Sequence, residues 1–190
     1  YSIQDRIYEL AFEGAKIART CADSFSTPEK PRFVLGSLGP GTKLPSLGHT
    51  TYEKLRDAYE LASQGLIDGG VDALLIETTQ DLLQAKAAVN GSRAAIAKVD
   101  RDVILIAQVT VEQTGTMLLG SEIGAALNAL APLEIDLIGL NCATGPAEMS
   151  EHLRYLAQNS KVALSVMPNA GLPILGKKGA EYPLGPDELA

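Results

Sequence analysis

The sequence has no tryptophan and only two cysteines, Cys21 and Cys142. Two thiols cannot build a disulfide framework, so an apolar core has to carry the fold. Long hydrophobic runs are also missing: VILIAQV, residues 103–109, is less than half of the ~20 residues that a membrane-spanning helix needs. The opening YSIQDRIYEL lacks the charged-then-apolar layout of a secretory signal, which leads to the expectation of a cytoplasmic protein. Cations are in deficit. With 16 Lys plus Arg against 23 Asp plus Glu, the net charge of -7 repels phosphate backbones and argues against a nucleic-acid partner. An initiator methionine is absent and PDELA only begins a helix, so the chain reads as a segment of something longer.

What is present suits one globular domain: 190 residues, 46% hydrophobic and 21% charged. Apolar positions 3, 7, 10, 11, 18, 21, 22 and 25 keep helical spacing and predict an amphipathic helix over 3–24, with Cys21 on its core-facing stripe. The pattern then alternates. FVLGS (33–37), DALLIET (72–78), VILIAQVTV (103–111), IDLIGLNC (135–142) and VALSVMP (162–168) are short apolar runs of the kind that form parallel strands buried on both faces. Helices are expected between them at 51–68, 81–98, 121–130 and 147–158. Thr50 with Glu53 suggests a capping box for the helix at 51–68, Gly120 or Ser121 a cap for the helix at 121–130, and Asp81 a cap for the helix it precedes. Asp72 belongs to the turn entering its strand, away from the site.

Alternating strands and helices indicate an α/β fold with a parallel sheet. A doubly wound nucleotide fold would place G-x-G-x-x-G directly between its first strand and a helix, and GSLGPG at 36–41 has the wrong spacing. A (βα)8 TIM-type barrel instead gathers its chemistry at the carboxyl ends of several strands. Here those ends read Ser37, Glu77-Thr78-Thr79, Gln108 with Thr110 and Glu112, Asn141-Cys142, and Asn169. The barrel is the favoured architecture.

Each candidate has a plainer alternative. Cys142 is either a small buried residue or a rim thiol able to bind metal or attack. Glu77 ends an apolar run and must be paired or solvated, by a salt bridge to a neighbouring strand or by a substrate ammonium. Asn169 sits in PNAGLP, which two prolines would stiffen in any case, yet its amide oxygen could reach a metal at the same rim. Zinc needs at least three protein ligands. His49 and His152 read as structural or surface residues, so the chain does not supply a zinc site by itself.

Four stretches, GSLGPGTK, IETTQDLLQAKAA, IGLNCATGPAEM and SVMPNAGLP, resemble in order the homocysteine-binding barrel of the cobalamin-dependent methionine synthases, a branch of the zinc-dependent homocysteine S-methyltransferases. The resemblance implies that Cys142 is one of three thiolates holding zinc, that Asn141 helps to shape the pocket, that Glu77 takes the amino group of homocysteine, and that Asn169 lies close enough to ligate the metal when substrate is absent. It also implies a methyl group delivered by methylcobalamin on another module and reloaded from methyltetrahydrofolate on a folate module. The family's opening Asp-Gly-Ala-Met-Gly-Thr-like strand, its second strand and its closing Gly-Gly-Cys-Cys-Gly-Thr-like motif have no counterpart here. Residues 1–190 are therefore expected to form a single partial barrel, about strands three to seven, inactive alone. A cobalamin-free relative using S-methylmethionine, and a non-catalytic fragment that associates through open strand edges at 33–37 and 162–168, are the alternatives.

Overall fold

The computed structural model describes residues 3–176 and 179–189. After a short 3-10 turn at Gln4–Arg6 the elements run α1 (Ile7–Ser24), β1 (Leu35–Leu38), α2 (Tyr52–Asp68), β2 (Ala73–Thr79), α3 (Leu82–Ile96), β3 (Ile104–Val109), α4 (Ile123–Leu130), β4 (Leu137–Asn141), α5 (Pro146–Asn159) and β5 (Ala163–Met167). A small antiparallel hairpin, β6 (Ile174–Gly176) with β7 (Gly179–Glu181), and the short helix α6 (Pro186–Leu189) follow. The hairpin carries no strand-length apolar run and was not anticipated from the sequence.

β1 to β5 form one parallel sheet in strict sequence order. A doubly wound sheet reverses its strand order, whereas a βα barrel never does, so the topology is that of a TIM-type barrel in part. β1 and β5 are its edges. On β2, Leu74 and Ile76 point into the main core against the helices, while Ala73 and Leu75 join Ile106 and Leu137 in a smaller cluster on the opposite face. Expected burial on both faces therefore holds for the central strands. It fails on β1, which alternates exposed and buried, and on β5, which is mostly exposed, because each has a neighbour on one side only.

At the amino ends of the strands two aspartates lock the register. Asp72 Oδ2 accepts the Val34 N–H at 2.6 Å and Asp136 Oδ2 accepts the Leu105 N–H at 2.7 Å. Arg19 pairs with Asp72 at 2.9 Å. Asp72 thus lies in the turn entering β2, as expected.

The first helix requires a correction. Cys21 is exposed rather than packed in the core. α1 meets α2 through Tyr8, Ala11, Phe12 and Ala15, because Gly65 and Gly69 let the two backbones approach: a Cβ on Gly65 would lie 2.5 Å from the Tyr8 carbonyl oxygen. That contact uses one flank of the apolar stripe. Ile17 (70% exposed), Cys21 and Phe25 occupy the other. Two caps also differ. Thr51, not Thr50, accepts the Lys54 N–H at 3.3 Å, and α4 begins at Ile123 behind Glu122 with no side-chain cap from Gly120 or Ser121. Asp81 caps α3 as expected, accepting from Leu83 and Gln84.

The long loop after β1 is fixed from below. Gln84 Nε2 donates to the Pro40 and Lys43 carbonyls, Asp81 accepts from both the backbone N–H and the hydroxyl of Ser46, and the Tyr59 hydroxyl donates to the Gly39 carbonyl at 3.0 Å. Tyr59 is 8% exposed, and burial pushes its phenol up to about 12. An unfolded chain releases that proton near pH 10, so above pH 10 the unfolded state gives up a proton that the folded state keeps. The contribution is complete below pH 10 and is lost as pH rises through about 12, by roughly 2–3 kcal/mol. Urea unfolding between pH 9 and pH 12 should show this decline in the wild type and a shallower one in Tyr59→Phe. Identical declines would exclude Tyr59 as its source.

Candidate active site

The carboxyl ends of the strands gather five of the strand-end residues named from the sequence, Ser37, Glu77, Thr78, Asn141 and Cys142, into one hydrogen-bonded group. Strand alternation turns Ser37 and Glu77 to the same face of the sheet, where the Ser37 hydroxyl donates to Glu77 Oε1 at 2.5 Å. Asn141 Nδ2 lies 3.2 Å from Glu77 Oε2, 2.8 Å from Thr78 Oγ1 and 3.3 Å from Cys142 Sγ. Its carbonyl Oδ1 accepts the Thr78 backbone N–H at 2.8 Å. That last bond settles the orientation of the carboxamide, since a flipped amide would oppose two donors. Asn141 is 2% exposed, and its own backbone carbonyl accepts from the Thr110 hydroxyl at 3.0 Å.

The reach of Asn141 depends on backbone geometry. β2 and β4 are not neighbours, because β3 lies between them. The β2–β3 register breaks between Ile76 and Thr79, and Thr78 adopts φ 58°. This left-handed bulge frees the Thr78 N–H from the ladder and aims it at Asn141. Cys142 and Ala143 are also left-handed, with φ 59° and 58°. Such conformations cost about 1–3 kcal/mol each in non-glycine residues and cluster where surroundings over-determine them. They turn the chain off β4 so that the thiol stands at the rim, half-buried, with Thr78 Oγ1 3.8 Å from its sulfur.

The other nominated residues occupy different places. Asn169 is tied to the turn after Cys142 through backbone alone: Cys142 N–H donates to the Met167 carbonyl and Asn169 N–H to the Thr144 carbonyl at 3.1 Å. Gln108 points below the rim, donating from Nε2 to Ser165 Oγ at 2.8 Å, and its Oε1 has no partner among the described residues. Glu112 accepts from Gln80 at 3.3 Å and lines a separate opening of ≈ 460 Å³ with Thr116, Leu118 and Ala143. Among the described residues Glu77 makes no ion pair, so a salt bridge to a neighbouring strand does not explain it. His49 Nδ1 accepts the Leu44 N–H, a structural role. Thr78 and Ser37 were visible only as strand-end polar residues. Their partners follow from inward parity and from a bulge that no glycine announces.

Among the described residues no three His, Cys, Asp or Glu are grouped to hold a metal ion. Cys142 is the one soft donor of the mouth, so these residues alone do not make a zinc site. No described helix is long and apolar enough to cross a membrane.

A family model described as homocysteine S-methyltransferase matches residues 1–190. The chain is 64% identical over all 190 residues to a methionine synthase of Mycobacterium tuberculosis (strain ATCC 25618 / H37Rv) and 63% identical to that of Mycobacterium leprae (strain TN). It spans 16% of the length of each of these curated relatives. Among solved structures, the apo form of the homocysteine methyltransferase MmuM from Escherichia coli superposes with a TM-score of 0.72 at 20% identity, covering 88% of this chain and 62% of that one. Its metallated form gives 0.71 at 19% identity over 86% and 59%. These structural likenesses establish the fold alone.

Replacing Asn141 by Leu removes the partner of the Thr78 N–H and the donors to Glu77 and Cys142. The chain should lose about 2–3 kcal/mol of stability in urea unfolding, against about 1 kcal/mol for Thr110→Val, which deletes one bond. Equal losses would show that the carboxamide is not the tie between β2 and β4.

Proposed function

We propose that this chain, which belongs to the homocysteine S-methyltransferase family, supplies the amino-acid-binding strand ends of an enzyme that methylates homocysteine to methionine. One observation carries the reading: a carboxylate near the end of β2 and a thiol just beyond the end of β4 share a single amide donor at one mouth. Glu77, without a cation partner among the described residues, accepts the ammonium group of homocysteine by charge-assisted hydrogen bonds. Asn141 keeps that carboxylate and the Cys142 sulfur within two hydrogen-bond lengths of each other, a separation that supports a substrate bound by its amine at Glu77 with its sulfur toward Cys142.

Cys142 is assigned as one of three thiolate ligands of a zinc ion, the other two belonging to the closing double-cysteine motif that residues 1–190 do not contain. Asn169, on the loop tied to the Cys142 turn, is assigned as an oxygen donor to the same ion when substrate is absent. Bound zinc would hold homocysteine as the nucleophilic thiolate at neutral pH. The work of the chain itself is to bind the amine, orient the amino acid and present one sulfur. The methyl donor is methylcobalamin on another module, reloaded from methyltetrahydrofolate on a folate module.

The full-length parent protein tests the reading. Cys142→Ala should weaken zinc retention by at least about a hundredfold and abolish methionine formation. Glu77→Gln should raise the KM for homocysteine about ten- to a hundredfold with a smaller effect on kcat. Full zinc content and turnover in Cys142→Ala would overturn the assignment.

A further inference from the structure

We infer that Ser37 is a specificity-determining residue of this mouth, acting through Glu77 to select ligands that carry a primary ammonium group. The inference rests on the reading of Glu77 as the ammonium acceptor. Ser37 lies on the open face of β1, and its hydroxyl approaches Glu77 Oε1 at 2.5 Å, the short distance of a bond charge-assisted by an ionised acceptor. The second oxygen, Oε2, receives Asn141 Nδ2 at 3.2 Å. Asn141 cannot turn away, because its Oδ1 takes the Thr78 N–H and the residue is buried.

The Glu77 carboxylate is therefore held through both oxygens, by β1 on one side and β4 on the other. Neither anchor brings a positive charge. Each carboxylate oxygen has more than one lone-pair direction, so acceptor capacity remains on both oxygens, and an ammonium is the complement that the neutral anchors leave wanting. The terminal torsion of glutamate is broad and soft. With only one anchor, Glu77 would rotate, share its oxygens with water and have to be ordered each time an amine binds. A ligand without an amine makes no use of that order. Ser37 is thus a positioning residue whose effect depends on a single functional group of the ligand, which a merely structural role in β1 would not produce.

The test uses the full-length parent protein, with dissociation constants measured by calorimetry for L-homocysteine and for 4-mercaptobutanoate, the same thiol acid without its amine. Ser37→Ala should weaken homocysteine about five- to tenfold and leave 4-mercaptobutanoate within about twofold. Ser37→Thr, which keeps the hydroxyl, should restore the preference for the amine. Circular dichroism and thermal melting of each variant confirm folding. Equal weakening of both ligands, or of neither, in a folded Ser37→Ala overturns the inference. Glu77→Gln separates the two levels: if it keeps the amine preference, the reading of Glu77 fails; if it loses that preference while Ser37→Ala retains it, only the role of Ser37 fails.

Discussion

The carboxamide of Asn141 is the constraint on which the mouth depends. It reaches from β4 to β2 across a strand that lies between them, accepting one N–H and offering two of its own. A sheet whose alternate strands are drawn together at one end must curve, and curvature is what a barrel requires. The same device recurs lower down, where Gln108 on β3 passes over β4 to Ser165 on β5. That passage runs above Gly139, the position at which a Cβ would collide with the Ser165 carbonyl. Left-handed backbone at Thr78 and Cys142 is unfavourable in isolation, and the bonds it makes possible to Asn141 offset it.

The two ends of the sheet divide the labour. At the amino ends, Asp72 and Asp136 each accept an N–H from the neighbouring strand segment, at Val34 and Leu105, and set register. At the carboxyl ends the polar groups bind one another and leave capacity unspent. Asp81 stands between the two roles. Fully buried, it is satisfied by donors from Ser46, Leu83 and Gln84, and so pins the loop after β1 to the helix that follows Glu77. A buried carboxylate is tolerable only with that degree of satisfaction.

Much of this was legible in the sequence because central parallel strands are apolar runs that end abruptly in polar residues. Glu77, Asn141 and Cys142 each mark such an end, and the structure brings all three together. Cys21 was misplaced because helical periodicity locates an apolar stripe without saying which flank a neighbour covers; that was decided by Gly65 and Gly69 on another helix. The cap at Thr51 rather than Thr50 is a one-residue ambiguity between adjacent threonines. The bulge at Thr78 left no trace, since left-handed positions usually advertise themselves as Gly, Asn or Asp. Asn169 shares the rim in sequence terms, yet what joins it to the Cys142 turn is backbone, which a residue list cannot distinguish from side-chain contact.

A count of donors and acceptors explains why the mouth calls for positive charge. Asn141 Nδ2 has two hydrogens and three acceptors within reach, the Thr78 hydroxyl, the Glu77 carboxylate and the Cys142 sulfur. One acceptor is always under-served. Ser37 relieves one oxygen of Glu77, and among the described residues no cation relieves the other. Neutral donors stabilise a carboxylate beside a sulfur only in part, because hydrogen bonds spread the charge without cancelling it. The mouth is thus electron-rich by construction, and the shared carboxamide sets the distance between its carboxylate and its sulfur.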